Sequence, residues 1–496
     1  MRADRKQKEK KQKTKVNIYK VLSVIYIVVL ALFLVNLIRL SVLPILYLSI
    51  VVAVLAVITI LLIKSLRTKP KEVMGKDGMP VPKKKTFSSV ISIIMIVILA
   101  FGSFYMGGTL DFFGKISGDK QIHNFYLVVN ADSDYKKIKD IKDETVGVMV
   151  QETDSYTEAQ NKVKKKVDIE FEKVGNYDAL ANSLINGQNN VIFLNSAYYE
   201  MAIEEVEGFD EDTTRVLEEI TVVAEKEELT KPVNVTKDSF NVYISGIDTS
   251  GAIGNISRSD VNMIMTVNPK TKTILLTSIP RDYYVKLGTI GQYDKLTHSG
   301  LYGVDETTAT IENLFGIEIN YYARVNFTTV VNLVDALGGI NVNSDYSFSA
   351  KGRDGSVYSY SAGVNYIGGE EALAFCRERK SFREGDGQRI KNQQAVISGV
   401  INKVTGSSAI LTRYNSILNA VESNFQTSLT QKDMTSLVKM QLSDMSGWSI
   451  KTQSVTGTGA MTPVYSIPHM SVYVMHPDQN SVVTAAQTIQ NVMAGN

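Results

Sequence analysis

Phe375-Cys-Arg-Glu-Arg-Lys-Ser-Phe-Arg-Glu-Gly-Asp-Gly-Gln-Arg-Ile-Lys-Asn-Gln-Gln394 is the stretch around which this chain is organised. From Phe240 to the C-terminus the chain has 20 Lys and Arg against 20 Asp and Glu, yet six of those cations lie within the fifteen residues 377–391. Such a cluster in an otherwise neutral segment indicates a local anion site. The alternative is a solvated, salt-bridged loop ahead of a helix, and these residues alone leave both interpretations open.

The spacing of the arginines favours a phosphate ligand. Arg377 and Arg379 are two residues apart, so in an extended chain both guanidinium groups leave the same side. Two parallel guanidinium forks suit a phosphate or a pyrophosphate.

A helix is predicted directly after Gly385-Asp386-Gly387, with residues 390, 397, 401 and 404, three Ile and one Val, as its buried stripe. Arg389 and Gln393 are four residues apart and share one face of that helix. They lie near its N-terminus, where free N–H groups favour anions.

Three apolar runs near the N-terminus predict a membrane anchor. Residues 21–38, 43–63 and 87–106 carry almost no charge, and each run is long enough, or nearly so, to cross a bilayer core of about 30 Å. A cleaved signal peptide would have one short apolar stretch. The sequence therefore predicts a membrane region at 21–107 with three transmembrane helices.

The basic flanks predict the orientation. Nine Lys and Arg occupy residues 1–20, the predicted basic tail, and eight more lie in 64–85. The positive-inside rule places both segments in the cytoplasm and everything after the third span outside the cell. A nucleic-acid-binding arm is the competing interpretation of the tail. Basic segments beside a span are expected for topology and anionic lipid alone, so no nucleic-acid partner is expected.

The single cysteine excludes an internal disulfide. Cys376 follows a helical pattern and is interpreted as a small buried apolar residue. A nucleophilic role is the alternative, but no His lies nearby in the sequence.

The extracytoplasmic part is predicted to be α/β throughout. Strand and helix patterns alternate through an accessory domain at 119–237. Residues 119–238 carry 26 acidic residues against 14 basic ones, a balance that disfavours polyanions as ligands. A second domain at 238–405 contains a predicted hairpin of strands 261–267 and 273–279, a helix at 299–315, and a mixed sheet between helices. Residues 406–496 form a C-terminal extension, expected to pack on the second domain.

Charged residues of the second domain follow predicted strand ends, where open α/β sheets usually bind ligands. Asp248 and Asp260 could share one Mg²⁺ that also contacts phosphate oxygens. Arg281 would join Arg377, Arg379 and Arg389 around the same anion.

The order of these motifs resembles the LytR-CpsA-Psr family over roughly residues 240–404, about a third of the chain. The motifs that carry the resemblance are Gly246-Ile-Asp248, Arg258-Ser-Asp260, Ile279-Pro-Arg-Asp282, Lys295-Leu-Thr-His298, Gly338-Gly-Ile340, Ala372-Leu-Ala-Phe-Cys-Arg-Glu-Arg379 and Gly385-Asp-Gly-Gln-Arg-Ile390 with Gln393. Three spans followed by an α/β domain are similar to the capsule-linked members of the family.

The resemblance implies an α/β/α layered domain with an apolar tunnel for a lipid, and a Mg²⁺-dependent phosphotransferase. Such an enzyme would move capsular polysaccharide from a polyprenyl (undecaprenyl) pyrophosphate carrier to peptidoglycan, with pyrophosphatase activity as a side reaction. Asp248 and Asp260 would hold the metal and, with Arg281, would be catalytic. The pyrophosphate ligands implied by the matching motifs are Arg281, Arg377, Arg379, Arg389, Gln393, Arg258 and Lys295. Other capsule assembly proteins are compatible partners.

Two other classes of protein remain open at this point. One is a membrane-anchored regulator of capsule expression, although the short basic tail has no helix-turn-helix pattern. The other is a scaffold that binds polyprenyl phosphate without chemistry.

Overall fold

The computed structural model describes residues 18–68, 72–74, 80–82, 85–116, 120–150, 153–225, 231–247, 256–353, 355–406, 413–421 and 425–496. Two sequence predictions lie outside these residues: the metal ligand Asp248 and the basic tail up to residue 17. The chain divides into two compact units. Met1–Gly114 with Met434–Asp444 forms one, and Lys115–Asp433 with Met445–Asn496 forms the other.

The first unit contains three apolar helices, as predicted. They are Ile18–Leu40, Ile45–Arg67 and Thr86–Ile116, and their most apolar windows have mean hydropathies of 2.9, 3.0 and 2.4. Short strands β1 (Glu72–Met74) and β2 (Pro80–Pro82) pair between the second and third helices. Asn36 donates to Ser103 Oγ across the bundle at 2.7 Å, a polar contact that is favourable between helices in lipid. These helices anchor the protein in a membrane.

The second unit begins with a five-stranded module. Its strands are β3 (Lys120–Asn130), β4 (Thr145–Met149), β5 (Glu170–Gly175), β6 (Val191–Asn195) and β7 (Thr214–Glu225), in the sheet order β5-β4-β6-β3-β7. Its helices are Asp154–Lys166, Tyr177–Ile185 and Ser196–Glu205. Each helix starts at a polar cap, and Thr153, Asn176 and Asn195 accept a backbone N–H there. The sequence did not predict β7, whose many Glu residues disguise the strand pattern.

The six-stranded module follows. Its central strands are β8 (Phe240–Ile247), β9 (Val261–Asn268), β10 (Thr273–Ile279), β13 (Tyr321–Asn326), β18 (Phe425–Thr427) and β19 (Ser449–Ser454), in the order β18-β13-β8-β9-β10-β19. Parallel pairs β13–β8 and β10–β19 combine with antiparallel pairs, so the sheet is mixed, as predicted. The smaller strands are β11 (Tyr284–Lys286), β12 (Tyr293–Lys295), β14 (Ile340–Ser344), β15 (Phe348–Lys351), β16 (Val357–Tyr360), β17 (Gly363–Ile367), β20 (Gly457–Val464) and β21 (Ile467–Pro477).

Helices cover this sheet on both faces. One core joins Tyr243, Ile264 and Leu275 of the sheet to the helices Val304–Phe315 and Gln479–Ala494. The other face holds the helices Phe327–Ala336, Gly369–Arg377 and Asp386–Gly406. Successive strand residues alternate between the two faces, so each strand contributes to both layers.

The C-terminal segment is part of both modules. Strands β18 and β19 extend the six-stranded sheet, whereas Val464, Ile467, Val472 and Val474 of the β20–β21 hairpin belong to the apolar core of the five-stranded module. The backbone N–H of Ile256 also donates to Ile122 at 3.2 Å. The two modules therefore share an apolar contact.

One predicted helix is interrupted. The pattern at 299–315 predicted a continuous helix, but the chain forms the short helix Leu296–Ser299, a 3-10 turn Gly300–Tyr302 and then Val304–Phe315. Gly303 lies between them with φ of 101°, which breaks the helix because right-handed helix requires negative φ.

Candidate active site

Four strand ends meet at one edge of the six-stranded sheet. Gly246 at the end of β8 pairs with Val261 at the start of β9, and Ile279 at the end of β10 pairs with Asn262. Asn326 at the end of β13 lies opposite Ile247. The loops that carry Asp260 and Arg281 therefore emerge side by side.

Gly246 permits the close approach of these strands. A Cβ at this position would lie 2.7 Å from the Cβ of Val261, which is too close for any side chain. The backbone N–H of Asp260 donates to the Gly246 carbonyl at 2.9 Å and holds the acidic residue at this edge.

A cavity of about 400 Å³ opens at this edge. Six of the predicted site residues line it: Asp260, Arg281, Arg377, Arg379, Arg389 and Gln393. The basic stretch after Phe375 and the strand-end loops, which are far apart in the sequence, therefore share one cavity.

Arg281 is held in the cavity wall by carboxylates. Its Nη1 donates to Asp260 Oδ1 at 2.8 Å, and its Nε lies 3.7 Å from Asp282 Oδ2. Burial lowers the pKa of Arg281, but Asp260 and Asp282 outweigh burial and raise it, so the guanidinium stays charged. Its Nε is buried without a hydrogen-bond partner among the described residues.

Arg389 is the most enclosed arginine of the basic stretch. Its side chain is 15% exposed, and its Nη2 donates to Asp386 Oδ2 at 3.2 Å. Burial lowers its pKa, and the nearby cations Arg281 and Arg379 lower it further. Its Nε is also buried without a partner among the described residues. A buried, unsatisfied N–H on a cation costs free energy that an anionic ligand would recover.

Arg377 and Arg379 are exposed residues that line the cavity. The prediction that they lie in extended chain was wrong, because Arg377 is the last residue of the helix Gly369–Arg377 and only Glu378 is extended. Both side chains nevertheless line the same cavity. The Arg377 guanidinium lies 4.6 Å from the centre of the Phe327 ring, a cation–π contact that orients it.

Two residues implied by the family motifs do not line this cavity. Arg258 forms a bidentate pair with Glu204 of the five-stranded module, at 2.8 Å and 2.6 Å. That hydrogen bond lowers the pKa of Glu204, so the pair is ionised. Lys295 Nζ lies 3.8 Å from Asp282 Oδ1. Arg258 and Lys295 are therefore placed to hold acidic residues around the cavity.

Much of the remaining lining of the cavity is apolar. It is formed by side chains of the sheet and of the covering helices, among them Ile244, Val325, Val330, Leu373 and Ile397. A lining that combines charged groups with hydrocarbon suits an amphiphilic ligand with a charged head. The apolar tunnel implied by the family remains a prediction.

Of the two predicted metal ligands, Asp248 lies outside the described residues and Asp260 lies within them. Its Oδ1 accepts from Arg281 and, at 3.4 Å, from Thr297, whereas no described residue donates to Oδ2. Oδ2 is therefore suited to contact a cation. No group of three or more His, Cys, Asp or Glu suited to a metal occurs in the part of the chain that the structure describes. One or two carboxylates with substrate phosphates are the usual protein share of a Mg²⁺ site, so Asp260 fits one.

Cys376 lines the cavity as a protonated thiol. Burial raises its pKa to about 12, so the thiolate is scarce at neutral pH. This fits the interpretation of Cys376 as an apolar residue, because only the thiolate is nucleophilic.

The sequence did not reveal the residues that position the basic stretch. Gln394 Nε2 donates to Ser278 Oγ at 2.9 Å and to the Gln453 carbonyl at 2.7 Å, which fixes the helix Asp386–Gly406 on the sheet. Asn392 Nδ2 donates to the Phe375 carbonyl at 3.1 Å and joins the helices that carry Arg377 and Arg389. The sequence did contain one signal of this role: Gln388 and Asn392 are polar residues four positions apart, on one face of the helix.

The predicted apolar stripe on this helix was only partly correct. Residues 390, 397, 401 and 404 are half-buried, and Gln388, Asn392, Gln394, Val396 and Gly399 are the buried ones. The innermost face is therefore largely polar because it anchors the site.

Glu204 was also missed by the sequence analysis. It lies 54 residues before its partner Arg258, and no local pattern joins the two. It lines the cavity, so the five-stranded module contributes directly to the site.

Comparison with known proteins assigns the family. The family model described as LytR_cpsA_psr matches residues 210–488, more than half of the chain. A second model, described as DNA polymerase processivity factor, matches residues 82–194, less than half.

Relatives agree with the first match. TagU of Bacillus subtilis (strain 168), named polyisoprenyl-teichoic acid–peptidoglycan teichoic acid transferase, is 39% identical over 233 residues, which cover 46% of this chain and 72% of the relative. The protein of the same name from Enterococcus faecalis (strain ATCC 700802 / V583) is 36% identical over 229 residues, covering 45% and 72%. The crystal structure of B. subtilis TagV has 28% identity and a TM-score of 0.44 and covers 52% of this chain and 98% of TagV. On the family match and these identities, the chain belongs to the LytR-CpsA-Psr family.

Proposed function

We propose that this protein transfers a glycopolymer from a polyprenyl pyrophosphate carrier to peptidoglycan. One observation carries the proposal: Arg281, Arg377, Arg379 and Arg389 line a single cavity whose remaining lining is largely apolar. A lipid-linked pyrophosphate has the matching chemistry, since its phosphates accept charge-assisted hydrogen bonds and its polyprenyl chain can be buried. The relatives are named as transferases that act between a polyisoprenyl-linked polymer and peptidoglycan.

The proposed reaction is a phosphoryl transfer. A hydroxyl oxygen of peptidoglycan attacks the phosphorus next to the glycan, a new P–O bond forms, and the P–O bond to polyprenyl phosphate breaks. The hydroxyl proton is lost to a base or to water, and the leaving oxygen departs on polyprenyl phosphate. Water in place of the acceptor would produce pyrophosphatase activity as a side reaction.

The protein's own part in this reaction is positioning and charge neutralisation. Arg281 and Arg389 grip the enclosed phosphate oxygens, while Arg377 and Arg379 contact those nearer solvent, and Gln393 adds an uncharged donor. Asp282, the carboxylate next to Arg281, is a candidate for the general base. It lies between Arg281 and Lys295, which suits it better to anchoring these cations.

Mg²⁺ is the proposed cofactor, held by Asp260 and by Asp248, which lies outside the described residues. When bound, it would neutralise phosphate charge as the pyrophosphate reacts. Chelation should therefore abolish transfer and Mg²⁺ should restore it. Undiminished transfer in excess chelator would remove the metal from the mechanism.

We further propose capsular polysaccharide on undecaprenyl pyrophosphate as the natural donor, with the two α/β modules outside the cell. The three spans and the basic residues of segment 64–85 support this orientation. The relatives are named for teichoic acid, so a teichoic acid donor is the direct competitor in the assay.

The testing experiment measures transfer of radiolabelled glycan to peptidoglycan by the full-length protein in nanodiscs, with each donor. Wild type should label peptidoglycan, and Arg281→Ala should not, whereas the exposed Lys380→Ala is the matched control. Labelling that is equal in all three proteins would overturn the proposed function. A preference for the teichoic acid donor would overturn only the capsule assignment.

A further inference from the structure

A second cavity, of about 320 Å³, lies between the five-stranded and six-stranded modules. It is separate from the arginine-lined cavity, and none of the described residues lines both. Its volume is at the lower end of the range of about 300–1,000 Å³ that is usual for small-molecule sites, and such sites are common between domains.

The cavity lies at the point in the five-stranded sheet where ligands are expected. Strands β4 and β6 are parallel neighbours. The helix after β4 leads to β5 at one edge, whereas the helix after β6 leads to β7 at the other edge. Open α/β sheets bind ligands at the carboxyl ends of two strands that diverge in this way. Thr153 and Asn195, which cap the two helices, both line the cavity.

Four aromatic rings line this cavity: those of Phe125, Tyr156, Tyr198 and Tyr302. Phe125 and Tyr156 pack against each other with ring centres 5.3 Å apart. The faces of aromatic rings carry partial negative charge and attract the C–H groups on the apolar side of a sugar ring.

Polar groups supply the hydrogen bonds that hydroxyl groups need. Glu306 is 4% exposed in this wall, and its carboxylate accepts from the backbone N–H of Thr289 at 3.0 Å and from the Thr289 hydroxyl. The side chains of Thr153, Asn195 and Thr289 add neutral donors and acceptors.

The charges of the lining argue against an anionic ligand. No Lys or Arg is among the residues that line this cavity in the described part of the chain. Burial lowers the pKa of His123, so its imidazole is neutral at pH 7. Part of the positive potential of the two helix N-termini is already used, since Thr153 accepts from Tyr156 N at 3.2 Å and Asn195 from Ala197 N at 2.9 Å. Glu306 adds negative charge.

We propose that this intermodule cavity binds a neutral saccharide of one or two sugar units. The rings of Tyr198 and Tyr302, which are half-buried, stack on the sugar, and the carboxylate and the amide and hydroxyl groups bind its hydroxyls. The proposal does not rest on the transferase activity, because its readout is binding alone.

The test uses the full-length protein in nanodiscs, since maltoside detergents would compete. Binding is followed by saturation-transfer NMR and by calorimetry with glucose, N-acetylglucosamine, maltose and N,N′-diacetylchitobiose. Glucose 1-phosphate and choline are the anionic and cationic comparisons. At least one neutral sugar should bind saturably, and more tightly than either charged probe.

Two variants of one loop locate the site. Ile290→Trp places a large ring in the cavity and should weaken sugar binding at least tenfold. Gln292→Trp adds the same bulk two residues away, at an exposed position outside the cavity lining, and should leave binding unchanged. If Ile290→Trp fails to fold, Ile290→Ala, which removes a wall contact, should weaken binding severalfold.

Three results would overturn the proposal. One is that none of the four neutral sugars binds. Another is that binding is unaffected by the Ile290 variants. The third is that choline or glucose 1-phosphate binds more tightly than every sugar, which would assign the cavity to another ligand class.

Discussion

Replacing Arg389 separates a pyrophosphate grip from a solvated basic surface. Its side chain is 15% exposed, its Nη2 is held by Asp386, and its Nε has no partner among the described residues. One charge-assisted hydrogen bond contributes about 1.5–3 kcal/mol. At about 1.4 kcal/mol per factor of ten, Arg389→Ala should lower kcat/KM roughly 10- to 150-fold.

The same geometry predicts a graded series. Arg379 is exposed, and an exposed ion pair is worth about 0–1 kcal/mol, so Arg379→Ala should lose about fivefold or less. Arg389→Lys should fall between wild type and Arg389→Ala, because Lys keeps the charge without the planar fork.

The controls lie in the same basic stretch. Lys380 is exposed, and Lys391 lies 3.6 Å from Asp345 with a side chain 58% exposed; neither lines the cavity. Lys380→Ala and Lys391→Ala should remain within about twofold of wild type, since surface charges contribute little.

Stability distinguishes loss of the ligand grip from loss of the fold. In the free protein, Arg389→Ala removes only an i,i+3 ion pair worth about 0.2–0.5 kcal/mol, so Tm should hardly change. The assay is transfer of labelled glycan from polyprenyl pyrophosphate to peptidoglycan, beside thermal unfolding with and without donor. If Arg389→Ala matches Lys391→Ala in kcat/KM, the grip on pyrophosphate is refuted.

Three further predictions concern other parts of the molecule. Glu204→Gln leaves the half-buried Arg258 without its ionic partner. Because the Glu204 side chain is 57% exposed, the loss in thermal unfolding should be about 0.2–1 kcal/mol, whereas Glu207→Gln should cause none, and equal Tm values for the two variants would contradict a role for the pair. Burial raises the pKa of Cys376 to about 12, so its alkylation by iodoacetamide should be slow at pH 7 and should rise about tenfold per pH unit until the pH reaches that pKa. Fast alkylation at pH 7 would contradict the burial of the thiol. Protease added to intact protoplasts should digest the two α/β modules, and their protection would reverse the proposed orientation.

The strands that could be predicted were those with strong local patterns. Strands β9 and β10 flank a turn at Asn268-Pro-Lys-Thr-Lys272. Their ends lie within one residue of the predicted bounds. The sequence pattern at 177–185 also predicts a helix, and the structure has it at Tyr177–Ile185, where Asn176 caps it and Asp178 lies in its first turn.

The basic stretch shows what local pattern cannot decide. Spacing suggested that Arg377 and Arg379 share one side, and both line one cavity, although the extended chain assumed for them was wrong. The helix Gly369–Arg377 includes Cys376 and Arg377 and buries Phe375 in the core. The backbone conformation of the two arginines could not be predicted from their spacing, whereas their shared environment could.

Contacts between segments that are distant in the chain could not be predicted from the sequence. Arg258 was assigned to pyrophosphate from its motif, but Glu204 reaches it from another module and takes both of its Nη groups. Nothing near Arg258 in the sequence indicates this, since ion pairs depend on positions in space. The role of Asp248, which lies outside the described residues, stays a prediction.

The central claim is that the phosphate next to the glycan is carried onto peptidoglycan while polyprenyl phosphate leaves. The most direct measurement uses a donor with ³³P at that phosphate and follows the label after incubation with the full-length protein and peptidoglycan. The label should appear in peptidoglycan as a phosphodiester, with one polyprenyl monophosphate released per label transferred. Label that stays on the lipid, or is released as free phosphate or as phosphorylated glycan without entering peptidoglycan, would contradict the account.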